Sequence, residues 1–194
     1  MVGSRHVMLR VFSQGDVAAL DLAQLVRNGT RFFDAELNLR DADGFRLAAP
    51  LATPASDPAQ AHLREPNPSP ATVSLSIELE VVARQLRDAF EVRGRLVQTR
   101  DLEAAQRAEH RGQSGGMSQL AARCRGVFEL TPFQAPIVEA TRAGELLLAA
   151  VFASVCLGPV LPEDESALFG VRGAVTRYEA IVGACLLRTN RNRS

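Results

Sequence analysis

Four groups of residues have the types and spacing to do chemistry. Gly112-Gln113-Ser114-Gly115-Gly116 fits the Gly-x-Ser-x-Gly pattern in which a serine nucleophile is held on a sharp turn. That turn needs a strand before the serine, a helix after it and a general base within reach. Here a polar helical stretch precedes Ser114, and His6, His62 and His110 all lie ahead of it, the wrong chain order for a hydrolase. A chymotrypsin-like order would need two barrels built from 113 residues, too short a stretch. The tract therefore reads as a glycine loop. The three histidines lack metal-ligand spacing.

Asp41-Ala42-Asp43-Gly44 resembles the opening of a calcium loop, without the glutamate that would complete it, and a hairpin turn explains it. Glu78 and Glu80 could form a carboxylate pair. Their alternation with apolar neighbours places them instead on the solvated face of a strand. Asn28-Gly29-Thr30 is a formal glycosylation sequence that reads as a helix cap. Cys124, Cys156 and Cys185 are widely spaced, with no Cys-x-x-Cys pair. They read as free thiols packed as small hydrophobes. We expect no catalytic, cofactor-binding or metal-binding residues.

Arginine is the remaining candidate. All 22 basic residues are Arg, and 22 acidic residues balance them, so the net charge is zero. This excludes a strongly basic histone-like binder and a long acidic tail. The Arg-only usage, with abundant Ala, Gly, Pro and Val, matches the codon bias of a GC-rich bacterium, phage or large DNA virus. Residues 84–125 hold nine Arg against five acidic residues, a local excess of +4. Arg93, Arg95, Arg100, Arg107 and Arg111 could contact phosphates. Aromatic residues for base stacking are nearly missing from this segment, where Phe90 stands alone.

The elements that would position these groups follow from periodicity. The chain has 194 residues, 46% of them hydrophobic and 23% charged, the mix of a globular protein able to build a core without metal or disulfide. Residues 7–12 alternate as a strand. A helix follows, predicted to end at Asn28 with Gly29 as its left-handed cap. Residues 33–40 alternate again, and 45–47 return as a hairpin. We take 1–49 as a strand-helix-hairpin unit. Residues 50–70 contain six of the ten prolines and read as a loop or linker. Residues 71–194 form the remainder, in one domain with 1–49 or separate from it.

Residues 72–82 fit both a strand and a helical stripe, and their Ser and β-branched content favours the strand. A short helix to Phe90, a strand over 92–97, a helix capped by Asp101 and a strand over 127–130 are expected next. Leu146 to Leu157 carries no charge. At about 18 Å it is too short to cross a bilayer, so it reads as a helix buried in a core. A second helix is expected from Pro162, with Leu168, Val171, Val175, Tyr178 and Val182 in a coiled-coil-like seam.

The expected fold is α+β, a mostly antiparallel sheet from the first two thirds packed with a C-terminal helical hairpin. The leading functional expectation is a non-enzymatic structural or assembly subunit, acting on itself or another protein subunit. It would work in the cytoplasm or within an assembled particle, since no secretion signal is seen and a membrane partner is not favoured. Two alternatives stand beside it. One is a nucleic-acid-associated or regulatory protein using the Arg segment. The other is a small-ligand module or enzyme whose site is formed by residues distant in sequence.

Overall fold

The computed structural model describes residues 9–41, 44–47, 75–83, 86–113, 115–133 and 139–191. Outside them lie the expected strand start at Val7, the residues of the Pro-rich stretch 50–70, Ala42 and Asp43 of the hairpin turn, and Ser114. The described chain runs β1 (Leu9–Ser13), a 3-10 turn (Val17–Ala19), α1 (Leu22–Phe33), β2 (Glu36–Asp41), β3 (Gly44–Leu47), β4 (Leu75–Ala83), β5 (Leu86–Leu96), α2 (Thr99–Gly112), α3 (Met117–Ala122), β6 (Gly126–Pro132), α4 (Glu139–Cys156), β7 (Val160–Pro162) and α5 (Val171–Arg191).

The strands form one seven-stranded sheet in the order β3-β2-β4-β5-β6-β1-β7. Every neighbouring pair is antiparallel. Strands from both sides of residues 50–70 thus share one ladder. The fold is α+β, as the alternating segments implied, with α4 and α5 packed together in the C-terminal third.

Strand alternation divides the side chains between two faces. Leu9, Val11, Leu37, Leu79, Val81, Phe90, Val92, Phe128 and Leu130 point to one face and form the main core with α1, α4 and α5. Phe128 meets Phe152 of α4 with ring centroids 5.3 Å apart and planes tilted by 57°, a favourable aromatic geometry. Phe12 and Leu161 point the other way and pack with Ala104, Ala105, Ala108 and Ala121 of α2 and α3.

The middle of the uncharged run is fully enclosed. Leu147 through Ala153 are each at most 1% exposed. α4 lies against β1, β5, β6 and β7 on one side and against α1 and α5 on the other. Burying one large aliphatic side chain contributes about 1.5–3 kcal/mol, so this rod is a principal source of stability. It is hidden by its own chain, and needs no second molecule for that.

Several expectations are corrected. α1 continues past Asn28 to Phe33, and its left-handed cap is Asp34 at φ 50°. Gly29 is buried inside the helix, where a Cβ would come within 2.9 Å of the Ala35 carbonyl oxygen. It is there for close approach, not for termination. Residues 86–90 are strand, not helix, because Leu86 to Leu96 pairs along its whole length with β4 and β6. Pro162 ends strand β7 rather than starting a helix, and α5 begins at Val171. Leu168 therefore lies outside the proposed seam and is buried on the α2 side of the sheet. Asp101 is the third residue of α2, and Gln98 is the cap.

α4 ends on Leu157, a 62% exposed leucine at φ 55°. The left-handed region is strained for L residues with a Cβ. Leu157→Gly is expected to stabilise the protein by about 0.5–1 kcal/mol, since relief of strain exceeds the added backbone entropy of the unfolded chain. Urea denaturation measures it. A loss of stability would show that the exposed leucine makes contacts outweighing its strain.

Candidate functional site

The largest concentration of charge lies where α2 crosses the outer sheet face. Sheet register puts Arg10 of β1 opposite Glu129 of β6, and Glu129 opposite Arg93 of β5. One pleat along, Arg95 is 6% exposed and Asp101 of α2 is fully buried. The Arg95 guanidinium donates from Nη1 to Asp101 Oδ2 at 2.6 Å and from Nη2 to Oδ1 at 2.9 Å. Its Nε donates to Glu129 Oε1 at 2.8 Å, and Nη1 also reaches the Leu96 carbonyl at 3.1 Å. Asp101 Oδ2 accepts from the Gln98 backbone N–H at 2.9 Å, closing the helix cap. Arg10 Nη1 stands 3.5 Å from Asp101 Oδ1.

Electrostatics agree with this geometry. Burial works to raise the Asp101 pKa, but the hydrogen bonds from Arg95 and the Gln98 amide, with the charges of Arg95 and Arg10, outweigh it and hold the carboxyl below its usual range. Burial likewise works to lower the Arg95 pKa. The hydrogen bond to Asp101 and the charges of Glu129 and Asp101 reverse that, and the net shift is upward. On the rim, Arg107 forms a bidentate pair with Glu165 at 2.8 and 2.9 Å. Arg107, Glu165 and Arg100 complete the lining of a cavity of about 340 Å³ over Arg95 and Asp101.

The five arginines singled out for phosphate contact are placed as follows. Arg95 is buried in its ion pairs. Arg93 donates to Glu91 at 2.8 Å, Arg107 is clamped by Glu165, and Arg111 reaches the Asp164 and Glu165 carbonyls at 3.3 Å. Arg100 is exposed on the cavity wall. The local +4 in sequence is thus largely met by acids brought from β6 and the segment after β7. Binding a phosphate here would require breaking these pairs. The geometry is that of a structural clamp joining α2 to the sheet.

The other candidates find structural roles. Glu78 pairs with Arg40 at 2.7 Å, and Glu80 accepts from Asn38 at 2.9 Å, both across the β2–β4 ladder. Asn28 sits in mid-helix and donates to Ser154 Oγ at 3.0 Å, tying α1 to α4. Gly112 ends helix α2, so the glycine tract follows a helix and not a strand. Glu109 accepts from the Ser118 hydroxyl and from the Met117 backbone N–H beyond the turn. Cys124 and Cys156 are buried free thiols. Burial pushes them to about 11 and about 12, so they are thiols and not thiolates at neutral pH.

Two features escaped sequence reading. One is a groove of about 550 Å³ between the end of α1 and α5, lined by Phe32, Phe33, Leu147, Val175, Tyr178 and Val182. Phe32 is 62% exposed there. The available signal is the adjacent pair Phe32-Phe33, of which the expected strand takes in only Phe33. The other is Glu145 of α4, 3% exposed, in a pocket on the opposite flank of α5. Among the described residues no group of three or more His, Cys, Asp or Glu side chains could hold a metal, and no helix is long and apolar enough to cross a membrane.

Among the described residues the architecture is therefore α+β, an antiparallel sheet with three helices on one face and two on part of the other. Comparison of the chain with family models, curated proteins and solved structures gives no match.

Proposed function

We propose that this protein is a non-enzymatic structural or assembly subunit that works by self-association. The observation that carries the reading is the groove between α1 and α5, in which apolar side chains alternate with Thr30, Arg31, Asp34 and Glu179. Phe32 lies exposed at its edge, and Val175, Tyr178 and Val182 of the predicted seam line it. Val171 and Val175 both pack against the main core as well. An exposed aromatic side chain beside a groove of mixed polarity is characteristic of interaction surfaces.

The occupant we commit to is a second copy of the chain. Arg31, Asp34 and Glu179 all border the groove, so its edge carries both signs. In a two-fold arrangement each copy presents the same patch, and basic groups of one meet acidic groups of the other. The Arg31 guanidinium already stands 5.1 Å from the centroid of the Phe32 ring.

Size-exclusion chromatography with light scattering over a wide concentration range tests the proposal. The expected result is a dimer or larger species that Phe32→Asp weakens by about tenfold or more in dissociation constant, in line with losing an aromatic anchor. The exposed position of Phe32 keeps that variant folded. A wild-type chain that stays monomeric at every accessible concentration would overturn the proposal.

A further inference from the structure

The pocket that contains Glu145 has the make-up of a small-ligand site. It encloses about 360 Å³ between α4, α5 and the segment following β7. Leu9, Leu146, Phe169 and Ile181 supply apolar walls. Glu145 is buried among them, and its Oε1 has no hydrogen-bond partner. A buried carboxylate oxygen without a donor carries a large desolvation cost. That cost is offset when a ligand brings the donor.

The nearby cations leave this atom unsatisfied. Arg177 stands 4.1 Å from the Phe169 ring centroid and donates to the Gly173 carbonyl at 3.2 Å. Arg142 is exposed and influences Glu145 through charge alone. With Glu163 and Asp164 the lining holds three acids against two arginines, Arg142 and Arg177, and Asp88 of β5 adds negative charge from the sheet side, with its own Oδ2 unpartnered.

From these observations we infer that the pocket binds an organic cation, an ammonium or guanidinium group on a short apolar stem, with the charged head on Glu145 Oε1 and the stem against Leu9, Leu146, Phe169 and Ile181. Three features set this class. The unmet atom accepts hydrogen bonds, the walls are apolar, and the acidic neighbours favour positive charge. The site lies on the opposite flank of α5 from the groove proposed for self-association, and neither reading depends on the other.

Burial holds the Glu145 carboxyl at about 7, with Arg142 lowering it and Asp88 and Glu163 raising it. At pH 6 it is mostly protonated. A cation that pairs with the carboxylate must therefore expel that proton.

The test is calorimetric titration of the full chain with benzylammonium and with its neutral counterpart benzyl alcohol. Benzylammonium is expected to bind, benzyl alcohol to bind far more weakly, and Glu145→Gln to weaken benzylammonium about tenfold or more, as loss of a charge-assisted hydrogen bond does. A second measurement needs no variant. Titrations of the wild type at pH 6 in buffers of different ionisation heat should show release of about one proton per cation bound. Equal affinity for the two probes, binding of neither, unchanged affinity in Glu145→Gln, or binding without proton release would each overturn the inference.

Discussion

An Arg95→Ala protein is expected to lose about 3–5 kcal/mol of unfolding free energy, the cost of leaving a buried charge without its partner. Asp101 is fully buried, and its two oxygens receive both Arg95 amino groups. With the guanidinium gone, the Gln98 amide remains at 2.9 Å, and Arg10 remains only at 3.5 Å. Glu129 loses its Arg95 contacts as well. The double variant Arg95→Met, Asp101→Leu should recover much of the loss, because it removes both charges together. Equilibrium urea unfolding of Arg95→Met, of Asp101→Leu and of the double variant measures the coupling. Additive losses would mean that the clamp is energetically idle.

The pH dependence of that loss has a defined sign. The Asp101 pKa is held below its usual value in the folded protein. Its contribution is therefore present above the ordinary carboxylate range and is lost as pH falls through the depressed value. The gap between wild type and Arg95→Ala should be widest near neutrality and narrow in acid. A gap that stays constant down to strong acid would mean that lost packing of the Arg95 stem causes it.

The second large effect has the opposite sign. Glu145→Met should make the protein more stable above pH 7, by roughly 3 kcal/mol if the whole shift acts on folding. Burial raises the Glu145 pKa from 4.5 to about 7. Between those values the folded state binds more protons than the unfolded state, so stability declines as pH rises and levels off above pH 7. Methionine has similar length and no charge, and escapes that decline. Its advantage should grow from about pH 4.5 to 7 and then stay level. Thermal or urea unfolding at several pH values reads it, and an advantage independent of pH would mean that Glu145 finds a partner in solution.

These two residues also show what sequence reading can and cannot reach. Period-two alternation predicts β1, β2 and β4, the run 92–97 predicts the second half of β5, and the uncharged run predicts α4, because burial on one face or on all faces writes itself into local composition. Leu86 to Phe90 was misread because the same apolar spacing fits a helical stripe, and the ladder with β4 decided the matter. β7 has three residues, too few for any period. Arg95 and Asp101 were both noted, one as a phosphate contact and one as a cap. Their pairing depends on α2 folding back over β5, and Glu129 reaches them only through strand register. Glu145 stands one position before the uncharged run and so falls outside the segment whose composition predicts burial. An acidic side chain three places before Leu148, on a helix about to be enclosed, was the available signal.

The position of β1 has a consequence for biosynthesis. Leu9 pairs with Leu130 on one side and with Pro162 on the other. Among the described strands β1 is made earliest and must wait on the order of a hundred residues for either neighbour, and the loop closed by that pairing is entropically demanding. Until β6 emerges, Val11 and Phe12 have no sheet to join and the nascent chain exposes an open strand edge. The central sheet is therefore completed only once β6 and β7 have been made.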